Sequence, residues 1–117
     1  MSKRINRKPY SNCQSGIGAA TTTLISAAAL AGGTMAGRLF CMKSIVLCNS
    51  HATVDQTVTL KRGSTNVLAD IVVKASQPPT GISLGEDGVP GAPGEAWTLV
   101  STGAGTLSVT IFGHLEG

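Results

Sequence analysis

The middle of this chain carries the pattern that most constrains its fold, because three strand-like segments follow one another there with short polar connections. The first is almost wholly apolar, the second alternates between apolar and polar residues, and the third is rich in β-branched residues. A polar segment with one glycine, Arg62–Asn66, separates the last two and has the composition of a hairpin turn. The three predicted strands are Leu39–Cys48, Val54–Lys61 and Val67–Lys74.

Shorter strand patterns flank this centre, and no segment has the length and periodicity of a long helix. The chain has 117 residues, enough for one domain. About six to eight short strands with glycine-rich turns predict an all-β fold, an antiparallel β-sandwich or jelly roll. The flanking strands are predicted at Thr21–Ser26, Ile82–Leu84, Trp97–Ser101 and Leu107–Phe112, with a turn at Thr102–Gly105 before the last of them.

Alternation within two of the predicted strands identifies core positions. Successive side chains of a strand point to opposite faces, so residues two apart share a face. Thr57 and Thr59 are therefore expected to point away from the core. The side chains predicted to face a common core are Val58, Leu60, Val109 and Ile111.

Basic residues are concentrated at the N-terminus. The net charge is +3, yet the chain after residue 10 holds five basic against six acidic residues. We predict that residues 1–16 form a basic extended arm outside a sandwich domain of residues 17–117, because a polar segment without apolar periodicity has little to offset the entropy of ordering. Order in this arm would come from a partner, by strand addition or by ion pairs. The predicted docking residues are Lys3, Arg4, Arg7, Lys8 and Tyr10.

Residues 11–37 carry no charge, and three interpretations of this segment compete. A basic start followed by small and apolar residues resembles a secretory signal peptide, and the length approaches that of a transmembrane helix. Gly32, Gly33 and several hydroxyl residues weaken the membrane interpretation. Three consecutive threonines followed by Ile25 favour a strand, with a loop or helical turn at residues 27–31. We expect the strand followed by a loop, and no membrane span.

The segment Ala75–Glu95 is rich in proline and glycine and lacks sustained periodicity. A connection of this length in a small domain is typical of a functional or contact-making loop. We therefore interpret it as a candidate contact loop, with the single tryptophan at its end. The candidate contact residues are Pro78, Pro79, Glu86, Asp87, Pro90, Pro93 and Trp97.

Residues with catalytic or metal-binding potential form no convincing constellation in the sequence. Three cysteines are an odd number, and Cys41 and Cys48 fall on opposite faces of one predicted strand, so we expect reduced thiols. A zinc site needs four closely spaced ligands, usually in C-x₂₋₄-C pairs, and Cys41, Cys48 and His51 do not form such a set. His114 and Glu116 lie at the C-terminal end, where we expect them to be solvated. These patterns predict no metal, no cofactor and no enzymatic activity.

Two stretches of the chain resemble small virion proteins of tailed bacteriophages. In Ile45–Val73, a strand ending in Asn-Ser leads into a T-V-T-L strand, a polar turn with glycine and another apolar strand. Gly94–Gly117 is similar to the closing hairpin of those proteins, with Gly113 in a late V-x-I-x-G pattern. The resemblance covers residues 38–117. It implies a virion location as a capsid decoration (cement) protein, or as a neck or tail accessory protein. It also implies partners among the major capsid protein and other virion proteins, and no catalytic residues. The low share of charged residues, 13%, separately predicts self-association, because a weakly charged β protein often uses its surface to contact neighbouring subunits.

Two other functions stay open. A receptor- or glycan-binding tail module would use the Ala75–Glu95 loop, with Trp97 as its nearest aromatic side chain. A secreted or membrane-associated bacterial β-sandwich would use residues 11–37 as a targeting segment. A dedicated nucleic-acid partner is not expected, because the chain beyond the basic arm offers neither a basic face nor an aromatic stacking platform.

Overall fold

The computed structural model describes residues 7–31 and 37–116, except for the side chains of residues 7, 18–20 and 103–106. Within these two ranges, no helix has the length and apolarity needed to span a membrane. The only helical element described there is a 3-10 turn, Ala28–Leu30, after the first strand. The strands are β1 (Arg7–Ile25), β2 (Leu39–Asn49), β3 (Gln56–Arg62), β4 (Thr65–Val73), β5 (Thr80–Ser83), β6 (Val89–Pro90) and β7 (Trp97–Glu116).

The sheets are built around β7, a 20-residue strand that pairs with three others. β1 runs antiparallel along one edge of β7, from Arg7 opposite Glu116 to Ile25 opposite Trp97. On the other edge, the first part of β7 pairs with β3 and the second part with β2. β4 extends the sheet beyond β3, while β5 and β6 extend it beyond β2. β1 and β7 therefore contribute to both sheets of an antiparallel β-sandwich, and the predicted all-β class is confirmed.

A bend at Gly16 lets β1 pass from one sheet to the other. Gly16 has a φ of 67°, which glycine adopts without steric cost, and the ladder with β7 shifts register beside it. In a straight strand, residues 12 apart would be separated by about 40 Å. Here Asn12 Nδ2 donates to the carbonyl oxygen of Leu24 at 3.1 Å, and Gln14 Nε2 donates to that of Thr23 at 2.8 Å. Side-chain hydrogen bonds thus close the seam between the two halves of β1.

The apolar core lies between the two sheets, where the inward-facing positions of the strands meet. Thr57 and Thr59 are half-buried, as expected for side chains on the outer face. The core positions predicted from alternation are confirmed, because none is more than 2% exposed: Val58, Leu60, Val109 and Ile111.

Three aromatic rings tie β1, β2 and β7 together. Phe40 and Trp97 are fully buried with ring centroids 6.0 Å apart, and Tyr10 packs edge-on against Phe40 at 5.5 Å. The indole Nε1 of Trp97 also donates to the carbonyl oxygen of Phe40 at 3.2 Å. Edge-to-face pairs of this kind stabilise a core by about 0.5–1.5 kcal/mol beyond the area they bury.

A buried amide fixes the connection between β2 and β3. Asn49 is 1% exposed, and its Nδ2 donates to the carbonyl oxygens of Val54 at 2.8 Å and Val73 at 3.1 Å. Its Oδ1 accepts hydrogen bonds from the backbone nitrogen of His51 and from Gln56 Nε2, both at 3.1 Å. Asn49 therefore joins the end of β2, the crossover loop, β3 and β4 in one hydrogen-bond network.

Two boundaries predicted from the sequence are wrong. Thr102–Gly105 is not a turn but part of β7, because β1 continues alongside and supplies ladder partners such as Gly18 for Ala104. Val54 does not begin a strand. It lies in the crossover loop with 49% of its surface exposed, and β3 begins at Gln56.

Candidate docking surface and polar cleft

The structure places residues 7–16 differently from the arm that the sequence predicts. They form the first half of β1 and pair with the last residues of β7, so a strand of the same chain orders them and no partner chain is needed. The physical reason is that β7 offers an unfilled edge on the side away from β2. Ladder hydrogen bonds and the packing of Tyr10 on Phe40 offset the entropy of ordering. The predicted domain boundary at residue 16 therefore falls inside β1.

The predicted docking residues are divided by this arrangement. Tyr10 is half-buried against its own core and offers a partner little of its ring, whereas Lys8 is exposed. Arg7 begins β1 opposite Glu116. Lys3 and Arg4 lie outside the described residues.

A shallow groove of about 260 Å³ lies beside the first half of β1. Pro9, Tyr10 and Ser11 form one wall, and Phe112 and Gly113 of β7 form the other. Phe112 is 44% exposed, so an aromatic side chain stands at the surface next to an edge strand. This combination of apolar groove and open backbone is what an added strand or loop from another chain would bind.

The candidate contact loop does not present its tryptophan. Trp97 is fully buried in the aromatic cluster, so its prediction as a contact residue is wrong. The other six candidates are exposed, but they follow β2 for about 20 Å, from Thr80 opposite Leu47 to Pro90 opposite Cys41. They are Pro78, Pro79, Glu86, Asp87, Pro90 and Pro93.

Asp55 fixes the start of this loop. The backbone nitrogen of Ala75 donates to Asp55 Oδ1 at 2.8 Å, and Lys74 Nζ lies 3.6 Å from Oδ2. The hydrogen bond from Ala75, together with the nearby charge of Lys74, lowers the pKa of Asp55 below its ordinary value. The end of β4 is thereby held against the β2–β3 crossover at neutral pH.

A polar cleft of about 250 Å³ lies on the outer face of β2 and β7. Cys41 and His114 are directly opposite each other in the β2–β7 ladder, and His114 Nε2 lies 3.4 Å from Glu116 Oε1. Both members of this pair have only 13% of their side chains exposed, so the prediction that they are solvated is wrong. Asp87, Gly88 and Pro90 line the same cleft, and the proximity of segments so far apart along the chain leaves no local signal in the sequence.

The thiol in this cleft is not prepared for nucleophilic chemistry. Cys41 is 3% exposed, and its Sγ donates to the carbonyl oxygen of Asp87 at 3.1 Å. Reactive cysteines are thiolates in exposed electropositive surroundings, whereas a donating thiol carries its proton. In the part of the chain that the structure describes, no three histidine, cysteine or carboxylate side chains are placed to hold a metal ion.

The remaining residues considered for chemistry are His51 and the cysteines, and the hydrogen bonds of His51 are structural. The ring nitrogen Nδ1 of His51 accepts hydrogen bonds from the backbone nitrogens of Thr53 and Val54 at 3.1 and 3.0 Å, which shapes the crossover loop. None of the three cysteines forms a disulfide, as predicted, and Cys13 is exposed on β1 whereas Cys41 is buried.

The fold and its surface define a β-sandwich with a long edge strand, but they do not point to one family. No family model matches the chain, and no curated protein matches it either. What this surface binds must therefore be inferred from its own residues.

Proposed function

We propose that the protein is a non-enzymatic structural component of a virion, namely a capsid decoration (cement) protein that binds the head surface through its N-terminal segment. The observation that carries the proposal is the placement of the basic segment. Lys3 and Arg4 precede an edge strand in the sequence and Arg7 and Lys8 begin it, and Lys8, the first of these residues with a described side chain, is exposed. Positive charge concentrated in the sequence at this strand end suits binding to an acidic neighbour.

The neutral character of the rest of the chain supports the same function. Charged residues make up only 13% of the sequence, and none occurs between Lys8 and Arg38. A surface with few charges is better suited to contact with neighbouring protein subunits than to isolation in water. The resemblance of residues 38–117 to small phage virion proteins supports a virion as the assembly to which these subunits belong.

The tail-module alternative has lost its main support. Glycan-binding surfaces stack sugars on aromatic rings, and Trp97, the aromatic residue nearest the contact loop, is fully buried. A neck or tail accessory role remains a virion function and would be distinguished by position in the particle.

The proposal is tested by composition and imaging of virus particles. Mass spectrometry of gradient-purified virions from the source culture should find the chain in proportion to the major capsid protein, and electron cryomicroscopy should place it on the head. Absence of the chain from purified virions would contradict the virion assignment. Presence only at the neck or tail would contradict the decoration role alone.

The role of the basic segment is tested by matched charge removal. The triple variant Lys3→Gln, Arg4→Gln, Lys8→Gln should lose occupancy on particles. The control variant Arg38→Gln, Lys43→Gln, Lys61→Gln removes the same charge from the body of the protein and should keep its occupancy. The difference should be largest at low salt and shrink as salt screens the contact over about 10 Å or less. Equal occupancy of both variants at low salt would place docking elsewhere.

A further inference from the structure

The open edges of this sandwich differ in how they are protected. An edge strand is a template for pairing with another chain, and monomeric proteins blunt it with charge, proline, bulges or short length. β4 has register shifts in its pairing with β3, and Asp70 adopts a left-handed φ of 53°. β5 and β6 are only four and two residues long, and β6 ends in Pro90. These edges carry the usual protection.

The first half of β1 is the exception. β1 is 19 residues long, and among the described strands it pairs with β7 alone. Its register shifts all lie after Gln14. After Arg7 and Lys8 it contains no charged residue. Its second half is partly covered, because the carbonyl oxygens of Thr23 and Leu24 accept hydrogen bonds from side-chain amides of the first half. The first half, residues 9–15, has no comparable cover among the described contacts, and Pro9 is its one protective residue.

The side chains along this open half are small enough to admit a second strand. Ser11, Cys13 and Ser15 are exposed and uncharged. Across the ladder from Ser11 stands Phe112, which is 44% exposed and borders the 260 Å³ groove. A strand added to β1 would therefore satisfy backbone groups and also shield part of an exposed aromatic side chain.

We propose that the first half of β1 is a self-association interface, at which two copies of this chain pair antiparallel about a two-fold axis. A second copy fits this edge because it brings an equally long strand that is uncharged from Pro9 to Gly16, and the charge pattern then sets the direction of pairing. With the axis near Asn12, Lys8 of one copy lies opposite Gly16 of the other, so each basic end faces an uncharged segment. Parallel pairing in register would instead place Lys8 of one copy beside Lys8 of the other, and like charges opposite each other destabilise a sheet.

The interface would be small and therefore weak. A strand pair of about seven residues lies at the low end of interface sizes, where complexes dissociate readily, so dimerisation should depend on concentration between about 1 µM and 1 mM. The dimer does not depend on a virion role. Because its test uses the purified chain alone, failure here leaves the proposed function standing, and the reverse also holds.

Sedimentation of the purified full chain tests the proposal. The wild-type chain should shift from monomer to dimer as its concentration rises. Ser11→Lys should remain monomeric, because it places two new cations in the middle of the shared edge. Thr21→Lys is the matched control, since Thr21 is exposed on the covered half of the same strand, and it should dimerise like wild type. Melting curves of all three chains should confirm that each is folded.

Cross-linking supplies a second measurement that needs no destabilising variant. In the proposed register the two Cys13 residues are diagonal neighbours, roughly 7–8 Å apart, and Cys13 is exposed. A short bis-maleimide should trap a covalent dimer of the wild-type chain and none of Cys13→Ser. A wild-type chain that stays monomeric throughout the concentration range overturns the proposal. So does a dimer that Ser11→Lys and Thr21→Lys affect equally, or one that does not cross-link through Cys13.

Discussion

Replacing Asn49 with alanine should remove the hydrogen bonds that hold the β2–β3 crossover to the core. The change leaves two buried groups without this partner, the carbonyl oxygen of Val73 and the side-chain amide of Gln56. Each buried polar group that loses a hydrogen bond destabilises the fold by about 1–3 kcal/mol. For these two groups together, we expect the free energy of unfolding to fall by roughly 4 kcal/mol. This is a large part of the 5–15 kcal/mol that is typical of whole domains.

Urea denaturation followed by the fluorescence of buried Trp97 measures this loss, with an unchanged slope as the sign of an unchanged unfolding reaction. Asn66→Ala is the control, because Asn66 is exposed on β4 and should cost less than about 0.5 kcal/mol. Adding Gln56→Leu to Asn49→Ala should lower the free energy of unfolding by less than the two single changes combined, since both changes remove the same Asn49–Gln56 hydrogen bond. A loss below about 1 kcal/mol for Asn49→Ala, or strict additivity in the double variant, would refute the network.

Three further outcomes are expected. A chain that lacks residues 1–16 should melt at a clearly lower temperature than one that lacks residues 1–6, because only the larger deletion removes the first half of β1; equal melting temperatures would contradict the pairing with β7. Gly113→Ala should lower the free energy of unfolding by about 1–3 kcal/mol or more, since a Cβ there would overlap the β2 backbone. Gly81→Ala is the control, because open space surrounds Gly81, and the same urea assay should show a far smaller loss. Thiol titration of the unfolded, unreduced chain should find three free thiols, and in the native chain Cys13 should react first; a count of one would reveal a disulfide.

Local patterns along the sequence predicted the strands that have a buried and an exposed face. The alternation at Val58 and Leu60 is a direct consequence of burying one face of a sheet, so it can be read without knowing the partner strand. The hairpin turn near Gly63 was equally local, because its left-handed φ of 57° requires a residue such as glycine. The reduced state of the cysteines followed from their odd number and spacing.

The candidate sites depended on contacts between distant segments, and the sequence did not predict them. His114 and Glu116 line a cleft together with Asp87 and Gly88 from a distant segment, and Trp97 packs on Phe40, which lies 57 positions earlier in the chain. No window of neighbouring residues carries such information. The same is true of Asn49, whose position after an apolar strand signalled only a strand end.

The sequence by itself determined that the chain is all-β and that its net positive charge is concentrated near the N-terminus, because periodicity and charge are properties of the residues themselves. The tertiary structure alone decided that residues 7–16 form an edge strand and that the glycine-rich segment at 102–105 stays extended. Polar or glycine-rich segments have weak conformational preferences of their own. Whether such a segment becomes a strand therefore depends on whether another strand lies beside it. For β1 and β7, each supplies the edge with which the other pairs, and this is visible only in the tertiary structure.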